Sequence, residues 1–128
     1  MITSISNDIE IQVECTYLEK HSRPSRNFHF FGYKIHIVNR NKFPVRLLSR
    51  FWSITDAGFE YREVDGPGVV GQQPILQPFE SFTYTSGCDF KGFIGKMEGH
   101  YIFRNLDTQE SFNAKIPEFI CQANYTLN

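Results

Sequence analysis

IEIQVECTY, residues Ile9 to Tyr17, alternates apolar and polar side chains for nine positions without a break. Ile9, Ile11, Val13, Cys15 and Tyr17 fall on one side, and Glu10, Gln12, Glu14 and Thr16 on the other. Successive side chains of an extended chain point to opposite faces, so a period of two marks a half-buried β-strand. A helix needs apolar residues every three or four positions, and no window of the chain shows that over three turns.

The pattern recurs on both sides of this stretch. Residues 1–8 are polar and read as a frayed end, as do residues 124–128. After a charged connection from Leu18 to Asn27, Phe28 to Asn39 reads as a second strand, with Phe31, Tyr33, Ile35 and Ile37 on one face. Asn39-Arg40-Asn41-Lys42 is turn chemistry, since Asn tolerates left-handed backbone angles. Val45 to Thr55 follows as a strand, with Leu48, Arg50, Trp52 and Ile54 on one face and Leu47, Ser49, Phe51 and Ser53 on the other. Asp56-Ala57-Gly58 predicts a tight hairpin into Phe59 to Val64. Pro74 and Pro78 forbid a helix after the next loop. Ser81 to Thr85 alternates, and Ser86-Gly87-Cys88-Asp89 reads as a turn. Lys91 to Gly99 carries three glycines and is irregular at first; Met97, Gly99, Tyr101 and Phe103 then alternate. Pro117 is expected to break the run Phe112, Ala114, Ile116 before Phe119 to Tyr125 closes the chain.

Seven or eight short strands joined by turns predict an all-β fold, an antiparallel sandwich of the immunoglobulin or fibronectin type III kind. Trp52 in a central strand suits that core, while the Cys…Trp…Cys disulfide spacing of antibody domains is absent. A small barrel is the alternative. A chain of 128 residues fits one domain, here 1–128. The 13 Phe and 6 Tyr suit pleated surfaces.

A net charge of −1 argues against a globally basic nucleic-acid binder. It hides an asymmetry: Lys20 to Thr55 holds eight basic residues and no acid, either a solvated face or an anion-attracting surface. Cys15, Cys88 and Cys121 have no metal-type spacing, and the N-terminus lacks the basic start and apolar run of a signal peptide, which points to reduced thiols in a cytoplasmic protein. No stretch approaches the roughly 20 apolar residues of a membrane span, so no membrane insertion is expected.

One segment carries motif-like spacing: VDGPGVVGQQPILQPFESFTYTSG, Val64 to Gly87, with G-x-G-x-x-G at Gly66, Gly68 and Gly71. A dinucleotide fingerprint needs a helix directly after the glycines, and QQPILQP cannot form one. Two uses remain open. The glycines supply positive φ for a wide turn, or their amides converge into an anion-binding nest with Arg50 or Arg62 as charge partner. A protein-docking loop is a third.

This segment, together with LLSRFWSITDAG (Leu47 to Gly58), GKMEGHYIF (Gly95 to Phe103) and FNAKIPEF (Phe112 to Phe119), resembles the ApaG family from about Ile9 to Phe119. The resemblance implies a fibronectin type III-like sandwich and a link to cobalt resistance and magnesium efflux, with no enzymatic step assigned. It implies pyrophosphate binding at Gly66, Gly68 and Gly71, to which Val69 and Arg50 are added as ligand-contacting candidates. It also implies partner binding. Pro67 departs from a plain amide nest, because it removes one N–H.

No cofactor, metal site or catalytic residue is expected. His21, His29, His36 and His100 have no ligand spacing and read as surface residues. Cys88 with His100 is the only nucleophile–base pairing to consider, and nothing in the sequence places the two together. The reading is a non-enzymatic binding or interaction module for an unidentified protein partner or a phosphate-containing small molecule, with self-association through an aromatic face as a further expectation. The alternative is a metal-dependent nucleotide or dinucleotide hydrolase, which needs acids holding a metal beside the loop. Glu63 and Asp65 are near in sequence, but alternation puts them on one face with Phe59 and Tyr61.

Overall fold

The computed structural model describes residues 1–125, so the last three positions of the end read as flexible lie outside the described residues. The chain forms two antiparallel sheets packed face to face, a β-sandwich and not a barrel. One sheet has the order β1-β2-β3-β7, from β1 (Ile2–Ser6), β2 (Ile9–Tyr17), β3 (His29–Asn39) and β7 (Ser81–Phe90). The other has the order β5-β4-β8-β9, from β4 (Val45–Asp56), β5 (Glu60–Pro67), β8 (Ile94–Asn105) and β9 (Ser111–Gln122), with β6 (Ile75–Leu76) paired to the start of β4. Two short 3₁₀ turns, Glu19–His21 and Pro24–Arg26, connect β2 to β3.

The alternating strand β2 buries Ile9, Ile11 and Val13 as expected. Phe31, Tyr33, Ile35 and Ile37 of β3 lie beside them. Val45, Leu47, Trp52 and Ile54 of β4, with Met97, Tyr101 and Phe103 of β8, supply the opposite layer. Trp52 is at the centre, its ring 5.4 Å from that of Tyr33 and 6.0 Å from that of Phe119.

Four local expectations are corrected. First, Leu47 and Trp52 share the core face, although strict alternation separates them. A bulge between Leu47 and Ser49 gives β4 one extra residue against β8 and reverses its phase. Second, Pro117 does not end β9. It sits where the register shifts between Met97/Phe119 and Gly99/Ile116, the position in a strand where a missing N–H is tolerated. Third, Ser86 to Asp89 belong to β7, paired with β3 from Tyr33 to Phe30, and the chain turns later at Lys91 and Gly92. There the buried Asp56 carboxylate accepts both backbone amides, at 2.7 and 3.0 Å. Fourth, Ile2–Ser6 is a strand. Asn7 and Asp8, at φ 49 and 57, make a two-residue hairpin that returns it onto β2. Ser4 Oγ donates to Lys115 O and Ser6 Oγ accepts from Lys115 N, each at 2.7 Å, which fastens β1 to β9 across the sheets.

Candidate functional site

The fastened β1–β9 seam leaves an asymmetry, because the opposite seam between edge strands β5 and β7 is parted. A cleft of about 290 Å³ opens there, lined by Tyr33, Arg50, Trp52, Arg62, Ser86 and Cys88 among others. Its floor is aromatic and its rim is cationic. The β4 bulge matters here, since it sets the phase that turns Arg50 inward with Trp52 and Ile54.

Arg50 is the point at which the glycine segment meets the cleft. Its Nη1 donates to the carbonyl oxygens of Pro67 and Gly68, at 2.8 and 2.9 Å. Gly66, paired with Arg50 across β4 and β5, leaves room for this: a Cβ there would stand 3.1 Å from Nη2. Gly68 is at φ +59, and a Cβ on it would come within 2.0 Å of Gln72 O. The glycines therefore serve close approach and backbone handedness.

The nest reading fails on where the amides point. Gly68 N–H donates to Leu48 O at 2.8 Å and Val69 N–H to Gln72 O at 2.8 Å, while Gln72 N–H returns to Val69 O at 2.9 Å. Val69 and Gln72 thus close a two-residue hairpin tip with Val70 and Gly71 at φ 42 and 78. The Val69 side chain is fully buried in the core, and Gly71 is exposed at the tip. The loop offers the cleft carbonyl oxygens, which hold the Arg50 charge. Of the five predicted ligand-contacting residues, Arg50 alone presents a side chain to a cavity.

The two arginines of the cleft differ. Arg62 contacts Glu60 at 3.2 Å and Asp89 at 3.8 Å, and its Nη2 meets Cys88 Sγ at 3.1 Å. Burial works against its charge, but the contacts with Cys88, Asp89 and Glu60 outweigh that and raise its pKa. Arg50 has no carboxylate within 4.0 Å among the described residues. It lies close enough to Tyr33 and Tyr84 to oppose, in part, the burial that raises both phenol pKa values. A half-buried guanidinium held by two carbonyl oxygens and no carboxylate among the described residues retains donors for an anion.

Other sequence candidates are dispersed. Cys88 faces the cleft from β7 in one sheet, whereas His100 stacks on Phe51 on the outer face of the other, so this pair forms no nucleophile–base unit. Burial raises the Cys88 thiol pKa. Glu63 and Asp65 pair with Ser53 and Phe51 on that same outer face, where Asp65 lines a second hollow with Arg50, Gly66 and His100. Glu63 accepts from Tyr61 Oη at 2.7 Å. His29 is buried and within 3.1 Å of Tyr125 Oη, in contrast to the expected surface position. The basic segment is scattered too: Arg40 pairs with Glu10 at 2.5 Å, and Arg46 lies opposite Arg104 on the outer face. Among the described residues no group of three His, Cys, Asp or Glu side chains could hold a metal. Sequence reasoning missed the Tyr33–Trp52 wall, because nothing local says that β3 and β4 face each other.

The comparisons agree with this architecture. The ApaG domain model matches residues 19–105. Protein ApaG of Mesorhizobium japonicum is 47% identical over 119 residues, covering 93% of this chain and 91% of its own. Protein ApaG of Bdellovibrio bacteriovorus is 43% identical over 121 residues, covering 94% of each. A Bordetella pertussis crystal structure that carries the name ApaA superposes with a TM-score of 0.88 at 39% identity, covering 93% of this chain and 96% of its own. A crystal structure from Archaeoglobus fulgidus, at 9% identity and a TM-score of 0.51, shares the fold alone. With a matching domain model over more than half its length and relatives this similar end to end, the chain belongs to the ApaG family.

Proposed function

We propose that the chain is a non-enzymatic binding module whose ligand-contacting group is Arg50 in the β5–β7 cleft, and that it takes a phosphate or pyrophosphate group there. The observation that carries this is the Arg50 guanidinium, held by the carbonyls of Pro67 and Gly68 and lacking a carboxylate partner among the described residues. The glycine segment is then the frame of the site, and the aromatic wall of Tyr33 and Trp52 gives an organic portion of the ligand an apolar surface. Nothing favours the hydrolase alternative, which needs metal-holding acids beside the phosphate: Asp65 stands without a second and third ligand among the described residues. A part in cobalt resistance and magnesium efflux is indirect under this reading and cytoplasmic in location. No described helix is long and apolar enough to cross a membrane.

The test is calorimetric titration of inorganic pyrophosphate and ATP into the wild type and Arg50→Met. Binding at micromolar Kd that weakens at least about tenfold in Arg50→Met, with Arg62→Gln weakening it less, supports the site. Equal affinity in wild type and Arg50→Met, or no heat from either ligand, overturns it and leaves a protein partner as the ligand. Gly68→Ala is unsuited to this purpose, because the added Cβ collides with Gln72 O and disturbs the loop whatever binds.

A further inference from the structure

Two of the three cysteines meet inside the sandwich. Cys15 stands on β2 of one sheet and Cys121 on β9 of the other, 106 residues apart, with their Sγ atoms 3.4 Å from each other. Cys121 is fully buried and Cys15 is partly open to solvent. Cys88 is engaged elsewhere, against Arg62 in the cleft. We infer that Cys15 and Cys121 are an oxidative modification site that closes to an intramolecular disulfide joining the two sheets.

Geometry favours closure. A bonded pair stands about 2.05 Å apart, so the sulfurs need to approach by a little over an ångström, shared between two side chains on packed strands. The roles divide by exposure. Cys15 is the thiol an oxidant reaches, and Cys121, shielded behind it, is the resolving group. The local chemistry agrees: the hydrogen bond from the Cys121 thiol lowers the Cys15 pKa against the opposing effect of burial. The same contact with Cys15, followed by burial, raises that of Cys121. The more reactive thiolate is therefore on the accessible residue.

With hydrogen peroxide as oxidant the steps balance. The Cys15 thiolate attacks one peroxide oxygen, an S–O bond forms, the O–O bond breaks, and the departing oxygen leaves as water after taking a proton. Cys121 then attacks the Cys15 sulfur, the S–S bond forms, and the S–O oxygen leaves as a second water with the Cys121 proton. Two thiols lose two electrons and two protons, and one peroxide becomes two waters. This inference is independent of what the cleft binds.

The experiment is peroxide treatment of the purified chain, followed by intact mass and peptide mapping under non-reducing, denaturing conditions. The expected result is a loss of about 2 Da, a single Cys15–Cys121 cross-linked peptide, and full reversal by dithiothreitol. Cys88→Ser leaves this unchanged, and Cys15→Ser abolishes it. Because the bridge ties strands far apart in sequence, the oxidised wild type also gains at least about 5 °C in Tm. Oxygen added to Cys15 without a bridge, a cross-link between two copies, or a bridge through Cys88 overturns the inference. The wild-type map alone decides this, so the outcome does not depend on how well the serine variants fold.

Discussion

Val70 is a β-branched residue at φ 42, half-exposed at the hairpin tip and unusual in that conformation. Left-handed geometry costs an L-residue roughly 1–2 kcal/mol. Val70→Asn is therefore expected to stabilise the chain by about 0.5–1 kcal/mol, since Asn tolerates this region. Urea unfolding checks it, and a loss of stability would mean that the valine side chain has a packing role. Gly68 and Gly71 separate by the same reasoning. Gly68→Ala combines φ +59 with a 2.0 Å collision and is expected to cost about 2–4 kcal/mol. Gly71→Ala, with open space around it, should cost about 1 kcal/mol. The reverse order would contradict the structural role given to Gly68. Glu10 offers a pH test. The hydrogen bond from Gln12, with further help from Arg40, holds its carboxyl below the usual range. A depressed folded pKa gives stability that is present above the unfolded pKa and lost as pH falls through the folded one. Glu10→Gln should therefore flatten the decline in Tm between about pH 5 and 3.

At the scale of elements, the junctions hold more than the strands suggest. Asn39, the last residue of β3, is fully buried, and its Nδ2 donates toward the carbonyls of Phe43, Leu76 and Gln77. Its Oδ1 accepts from the backbone of Asn41 at 3.0 Å. One side chain thus ties the end of β3 to β6 and to the turn before β4. Replacing it with Ala leaves several buried carbonyls unpaired, and a loss of about 2–4 kcal/mol by urea unfolding is expected. A loss under 1 kcal/mol would show that water takes its place. The sequence assigns Asn39 to a turn from its tolerance of left-handed geometry, whereas Asn39 ends β3, paired with Ile9, and is not at positive φ. Nor can the sequence show the three carbonyls, because Leu76 and Gln77 arrive from a segment 37 and 38 residues later. The β4 bulge is similar. Leu47 and Leu48 are both apolar, so alternation alone cannot say which of them leaves the ladder, yet that choice decides where Arg50 points.

For the molecule as a whole, the governing feature is the inequality of its two seams. Ser4, Ser6 and Asn7 fasten β1 to the backbone of β9, while β5 and β7 are bridged chiefly by Arg62 reaching Cys88 and Asp89. The Ser4→Ala, Ser6→Ala double variant should cost about 1–2 kcal/mol and speed amide exchange at Lys115, which loses its Ser6 acceptor. Unchanged exchange at Lys115 would mean that the seam is closed by backbone packing alone. In a sandwich sealed on one side and parted on the other, the parted seam holds a cleft between the sheets, and Arg50 lines it.

By itself the sequence determined the class of structure, most strand positions, the core residues of β2 and β3, and family membership through the glycine and Leu-Ser-Arg-x-Trp segments. These are legible because alternation and turn chemistry act over a few residues, and a strand carries its own period. Only the tertiary structure decided that Ile2–Ser6 is a strand, that Pro117 sits within one, that the loop amides turn inward, and that Cys15 meets Cys121. Each of these depends on partners far away in sequence, where hydrogen bonds and packing across the two sheets override the local pattern.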